Sequence, residues 1–176
     1  MDKKINKLVV SAMMAALACV ATMVIRVPTI GTNGYVNIGD SVVLLSAWML
    51  GNPYGAIAAG LGSALADLLA GYASYVPGTF VIKFLMAFVA AIVYKRVGAN
   101  GKNRQPAYIV SAVVAELIMI IGYFLYESTL LGYGIGAAGS IPSNGVQGVT
   151  CLVIGVVLVN ALSGTRYAFG AIFNKS

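Results

Sequence analysis

LVVSAMMAALACVATMVI, residues 8–25, runs for 18 residues without a charge. A helix that is apolar on every side is stable only in a core or in lipid. This one is long enough to cross the hydrocarbon layer, which takes roughly 17–25 residues. Lys3, Lys4 and Lys7 precede it, and Arg26 and Pro28 close it. Its length, and the similar segments that follow, argue against a cleaved signal peptide.

The pattern recurs along the chain. Asp40 opens an apolar stretch to Leu50, and Gly51-Asn52-Pro53 is a turn whose proline suits a new helix start. A third span is expected from about Pro53 to Leu69. After a turn over Gly71–Gly78, a fourth runs to about Tyr94. Lys95 to Pro106 is a polar linker, and a fifth span covers Ala107 to Tyr126. Beyond the glycines at 132, 134, 136 and 139, Pro142 starts a sixth that ends near Ser163. Composition agrees: 176 residues are 60% hydrophobic and 9% charged, whereas a soluble domain is about a quarter charged. We therefore expect one all-α polytopic membrane domain over residues 1–176, with six transmembrane helices and a cell-membrane location.

The basic residues orient it. Lys3, Lys4, Lys7, Lys95, Arg96, Lys102, Arg104, Arg166 and Lys175 all fall on one side of a six-span array. Cytoplasmic loops carry such an excess, which places both termini in the cytoplasm. The formal charge of +6 is then a matter of topology, and nucleic-acid binding loses its motivation. No His is present, and no nucleophile–base pair stands out, so an enzyme is not expected. Ser63 reads as a small packing residue. Cys19 and Cys151 sit in apolar runs, so neither a disulfide framework nor a metal site is expected, and no cofactor is implied. No phosphate-binding glycine loop ending in Lys-Ser/Thr occurs either. The chain must bind passively, use an ion gradient, or borrow a motor.

The second span is short. Gly39 to Leu50 gives roughly 18 Å of helix against a core of roughly 30 Å. Either the bilayer thins there, or the preceding loop dips in and lines a cavity, the only setting in which irregular backbone is tolerated at that depth. A short, Gly-flanked segment of this kind points to a substrate site.

Polar residues gather toward the outer half. Asp67 ends the third span, Lys83 lies just inside the fourth, and Glu127 ends the fifth with Tyr123 one turn deeper. Asn144 and Gln147 share a face at the start of the sixth. Glu116 lies nearer the midplane. Tyr35, Asn37 and Asp40 in the first loop, with Tyr72, Tyr75 and Tyr133, supply the aromatic surface and polar groups of a lid and walls. Structural alternatives remain open: Asp67 and Lys83 can neutralise each other, Glu116 can stay protonated, and the tyrosines can belong to an interfacial belt. On the first span Ser11, Ala12, Ala15, Ala16 and Ala18 form a small-residue face, suited to packing in the bundle or to docking another protein. Gly51, Gly55, Gly60, Gly62, Ser63 and Ala66 make a comparable face on the third, read as internal packing.

Several runs together resemble a known family: Ala12-Met13-Met14-Ala15-Ala16, Gly34-Tyr35-Val36-Asn37-Ile38-Gly39-Asp40, Leu50-Gly51-Asn52-Pro53-Tyr54-Gly55, Gly62-Ser63-Ala64-Leu65-Ala66-Asp67-Leu68-Leu69, and Pro142-Ser143-Asn144-Gly145-Val146-Gln147. In that order, over nearly the whole chain, they resemble the S components, or substrate-binding subunits, of energy-coupling factor (ECF) vitamin transporters. The resemblance implies capture of a vitamin or precursor at the extracellular side under a first-loop gate, Thr29 to Asp40. It also implies docking through Ala12 and Ala16 on a transmembrane T component that carries two ATPase subunits, followed by toppling in the membrane. Tyr35, Asn37, Asp40, Asp67, Lys83, Tyr123, Glu127, Asn144 and Gln147 become substrate-site candidates, with Glu116 beside them. The closest likeness is to the branch that takes pyridoxine-like or hydroxymethylpyrimidine-like ligands. The competing reading is a self-sufficient ion-coupled transporter using Glu116 or Asp67; no inverted repeat supports it. A further alternative is an assembly subunit whose polar residues are only structural.

Overall fold

In a computed structural model, residues 3–98 and 104–164 are described. Lys102, Arg166 and Lys175, which entered the charge argument, lie outside the described residues.

Six helices form: α1 (Lys3–Val24), α2 (Asp40–Leu50), α3 (Tyr54–Leu69), α4 (Val76–Gly98), α5 (Gln105–Leu125) and α6 (Ile141–Gly164). Four of them, α1, α4, α5 and α6, are long and apolar enough to cross a membrane. The helix starts follow the local chemistry, with Pro77 in the first turn of α4 and Pro106 in that of α5. α4 starts a little earlier than the glycines suggest, because Val76 and Pro77 can open a helix and Gly78 sits inside it.

The segment between α1 and α2 is more ordered than a Gly-rich loop implies. Arg26–Pro28 (β1) and Tyr35–Asn37 (β2) pair as an antiparallel ribbon, with Val27 opposite Val36. Gly31 turns the tip at φ +85°, a conformation open to glycine without strain. The tip rests on the far side of the bundle: a Cβ on Gly139 would meet the Ile30 carbonyl oxygen at 2.8 Å. After α5 the chain makes a π-helical turn (Tyr126–Leu130) and a 3-10 helix (Gly134–Ser140) before α6.

The shortness of α2 has a simple cause. Every residue in it except Met49 is buried, so α2 is the central post of the bundle and touches little lipid. It packs against α1, α3, α4 and α6. Val43 and Leu44 are fully covered, alongside Met86 of α4, Met119 of α5 and Val159 of α6. Trp48 donates its indole N–H to the Ser111 hydroxyl at 2.9 Å, which satisfies the one polar group on a large core side chain.

Glycines on α3 permit this. A Cβ on Gly55 would come within 2.2 Å of the Ser46 carbonyl oxygen in α2. One on Gly62 would lie 2.2 Å from the Ala15 carbonyl oxygen and 2.9 Å from Ala18 Cβ in α1, and one on Gly60 would lie 3.0 Å from the Phe80 carbonyl oxygen in α4. The small face of α3 is therefore internal packing, and backbones approach closely where no side chain intervenes. The small face of α1 divides. Ala18 through its methyl and Ala15 through its backbone carbonyl lie against α3, whereas Ala12 and Ala16 are exposed among Leu8, Val9, Met13, Leu17 and Val20.

Lys7 lies over the Tyr54 ring at 5.9 Å, and Lys95 reaches toward Gly51. Those two lysines and the α2–α3 turn thus share the end of the bundle opposite the ribbon.

Gly62→Val is expected to force α1 away from α3 and to destabilise the fold by about 1–3 kcal/mol, as overpacked cores do. Thermal unfolding in detergent checks this. Ala12→Val, on the exposed side of the same helix, is expected to leave the transition unchanged.

Candidate functional site

Three helices, α2, α4 and α6, meet beneath the ribbon. Asp40, the first residue of α2, is wholly buried and forms an ion pair with Lys83 of α4. Two buried charges in hydrocarbon are tolerable only as a pair with their remaining hydrogen-bonding capacity met. Gln147 of α6 meets part of it, donating its amide N–H to the second Asp40 oxygen at 2.5 Å. The same Gln147 accepts, on its Oε1, the backbone N–H of Asn37 at 2.6 Å. The Asn37 side-chain oxygen accepts the Gly39 N–H at 2.8 Å, which shapes the entry into α2. A continuous chain of polar contacts therefore ties α4, through α2 and α6, to the backbone of the ribbon.

A second contact holds the ribbon on another side. Tyr35 donates its hydroxyl to Asp67 at the end of α3, at 2.6 Å, and its ring lies 4.7 Å from that of Tyr72. Burial, and then the Asp67 carboxylate, push the Tyr35 phenol well above its ordinary range, so it remains a donor. Tyr75, in the α3–α4 turn, donates to Glu127 at 3.1 Å, and burial with that carboxylate raises its phenol likewise. Ser140 donates to the other Glu127 oxygen at 2.6 Å. Glu127 lies in the π-helical turn, a local irregularity that often marks functional positions. Thr79 and Tyr123 share a hydrogen bond of 2.9 Å, and the Lys83 ammonium stands 5.2 Å from the centre of the Tyr123 ring.

These groups surround one cavity, lined by Thr29 and Gly34 of the ribbon loop, Tyr35, Asn37, Asp67, Tyr75, Thr79, Tyr123, Glu127, Asn144 and Gln147. Seven of the ten sequence-derived substrate candidates line it directly. Asp40 and Lys83 sit just behind Gln147 and Tyr123, as its support. Glu116 does not join them: it lines a separate crevice between α5 and α6. The suggested Asp67–Lys83 pairing is also not what forms, since Lys83 goes to Asp40 and Asp67 to Tyr35. Tyr133 is half-buried but does not line the cavity. Thr79 and Ser140 were missed. Hydroxyls in helices usually satisfy themselves on their own backbone, as Ser140 also does on the Ala137 carbonyl at 2.9 Å, and nothing in the sequence places either beside the cavity.

The interior is narrow, about 20 Å³, which accommodates roughly one water. A ring-sized solute enters only if the ribbon lifts, and the bonds that hold it down include Tyr35–Asp67 and Asn37–Gln147, with the Cys151 thiol donating to the Asn37 carbonyl at 3.5 Å. The lining is rich in acceptors. It holds two carboxylates, Asp67 and Glu127, and no Lys or Arg, because the nearby Lys83 is engaged by Asp40.

The ECF-type riboflavin transporter S component family matches residues 2–164. The chain belongs to the S components of ECF transporters. It is 26% identical over 92% of its length to the thiamine precursor transporter HmpT of Lactococcus lactis, covering 88% of that protein. An uncharacterised protein of Pyrococcus woesei is 33% identical over 77% of this chain and 87% of its own. The solved S component of a bacterial ECF transporter shares the fold, with a TM-score of 0.68 at 20% identity, over 93% of this chain and 99% of that one. This S component is accordingly a multi-pass protein of the cell membrane.

Removing one member of the buried pair exposes the cost of the other. Lys83→Met is expected to lower stability by about 3–5 kcal/mol, and Asp40→Asn added to it to recover most of the loss; denaturation of the three variants checks this. Gln147→Ala is expected to leave the bundle folded but to speed backbone hydrogen exchange at residues 35–39 by roughly tenfold, the equivalent of about one lost hydrogen bond.

Proposed function

We propose that this S component is the substrate-capture subunit of an ATP-driven ECF importer, and that its ligand is a pyridoxine-like or hydroxymethylpyrimidine-like heteroaromatic alcohol. The carrying observation is the acceptor-rich cavity under the ribbon. Asp67 and Glu127 both contribute carboxylates to its lining. An aminopyrimidine offers a ring nitrogen and an exocyclic amine side by side, a donor pair that fits one carboxylate in bidentate fashion once the ring is protonated. A pyridine alcohol offers hydroxyl donors to the same groups. Tyr35, Tyr75 and Tyr123 supply ring faces, and Asn37, Asn144 and Gln147 supply amides that can donate or accept. The likeness to a thiamine precursor transporter points the same way. A three-ring flavin is the poorer fit for so narrow a space, although the matching family carries riboflavin in its description.

The ribbon and its loop, Thr29 to Asp40, act as the gate. Opening breaks the Tyr35–Asp67 and Asn37–Gln147 contacts, and a bound ligand takes up the polar groups they release as the ribbon settles over it. We place the gate on the extracellular side, with six spans and both termini cytoplasmic. In support, Lys7 and Lys95 share the end opposite the ribbon, as cytoplasmic basic residues would. Energy comes from a T component with two ATPase subunits, docked on the exposed Ala12 and Ala16. The division of the α1 small face supports this, because Ala15 and Ala18 suffice for internal packing and leave Ala12 and Ala16 free.

Calorimetry on the purified chain without ATP is expected to show binding of pyridoxine or hydroxymethylpyrimidine. Binding to riboflavin or folate alone rejects the ligand assignment. Asp67→Asn is expected to weaken the bound ligand about 10- to 100-fold, the loss of one charge-assisted hydrogen bond. Ala16→Trp is expected to leave binding intact and abolish uptake in cells that hold the full transporter. Uptake by this chain alone in ATP-free vesicles under an ion gradient replaces the importer with an ion-coupled carrier.

A further inference from the structure

Glu116 takes no part in the cavity under the ribbon, and its surroundings are unusual. It is 5% exposed, and neither carboxyl oxygen has a hydrogen-bond partner. An unpartnered carboxyl at mid-span is costly and marks a functional position by default. Its charged neighbours are Asp40 and Lys83, and those two neutralise each other. Glu116 is therefore the surplus acid of the group, and the site is balanced by one positive charge or by one proton.

A crevice of about 160 Å³ between α5 and α6 is lined in part by Glu116, whose carboxyl oxygens are themselves covered beside Gly148. One wall is Val113, Leu117 and Ile120 of α5; the other is Val149 and Leu152 of α6, with Gly145 and Gly148 opening the space between the helices. A Cβ on Gly148 would stand 3.1 Å from Glu116 Cβ, so that glycine gives the carboxyl its room. The rim residues Val113, Leu117 and Val149 are 44%, 51% and 68% exposed on the flank of the bundle, where the protein meets lipid. The entrance is apolar, and the single polar feature is the acid at the floor. A cavity of about 150 Å³ lined by aliphatic side chains holds a benzene-sized molecule.

We infer that the α5–α6 crevice is a second small-molecule site, entered from the bilayer, for a short-chain or single-ring lipid-soluble primary amine. The amine arrives uncharged through the hydrocarbon, its body fills the space between the helices, and its nitrogen meets Glu116 once the covered carboxyl swings out from beside Gly148. The carboxylic acid gives its proton to the nitrogen lone pair. The product is an ammonium–carboxylate pair, and the charge of the group as a whole is unchanged. The site stands apart from the vitamin reading and does not depend on it.

The test uses the full chain in lipid nanodiscs, with n-hexylamine as probe and 1-hexanol as its neutral counterpart. Hexylamine is expected to raise Tm saturably, by about 5–10 °C at roughly 100 times its Kd. Difference infrared spectra should show a protonated carboxyl band replaced by a carboxylate band on binding. Glu116→Gln keeps the shape and removes the proton; Gly145→Leu fills the crevice at a position where an added Cβ meets nothing within 4 Å. Both are expected to abolish the shift and the infrared change while leaving vitamin affinity within about twofold. No shift in the unaltered chain overturns the inference. So does an equal shift with hexanol, or one that survives in both variants, since either means bulk partition into the bilayer.

Discussion

The arrangement hangs on the buried pair of Lys83 and Asp40. Neither charge is reachable by water, and each is tolerable at that depth because the other is present. A pair of this kind adds little net stability over an apolar substitute, but it imposes a register. Lys83 sets how α4 faces α2, and Asp40 at the head of α2 fixes where the loop must end. The second Asp40 oxygen then recruits Gln147 and brings α6 to the same point. The ribbon inherits its position from this junction, because Gln147 turns its remaining oxygen to the backbone of Asn37.

Small residues make the junction possible. α2 can stand at the centre only if its neighbours come close, and α3 approaches it through Gly55 at a distance that admits no side chain. The same helix meets α1 at Gly62 and α4 at Gly60, which leaves the large residues of α3, such as Leu61, Leu65 and Leu68, on the outside toward lipid. In water that distribution would be inside out; in a bilayer, lipid chains solvate leucine as well as a core does, and close backbone contact becomes the selective interaction.

Helices and their approximate ends were legible from hydropathy and from proline and glycine placement, since an apolar run of fixed length has few alternatives in lipid. Much of the cavity was legible for the same reason: polar residues near the ends of otherwise apolar helices are costly enough to imply company. The partners were not. Depth alone made Asp67 and Lys83 look like a pair, whereas the rotation of α3 turns Asp67 toward Tyr35 and the ribbon. Glu116 shares its span with Tyr123, seven positions away, yet the two open on different cavities, because packing against α6 rather than sequence spacing sets which side of α5 is enclosed.

By itself the sequence determined the solvent, the number of helices and the set of polar residues too costly to leave in hydrocarbon, because burial energies scale with composition and length and need no coordinates. Tertiary structure alone decided which acid Lys83 neutralises, that the first loop is a ribbon latched by Gln147, that α1 divides its alanines between the bundle and its outer surface, and that Glu116 lines a crevice apart from the cavity under the ribbon. Those outcomes depend on the rotation of each helix about its axis. That angle comes from the simultaneous fit of glycines, aromatic rings and buried charges contributed by segments distant in the chain.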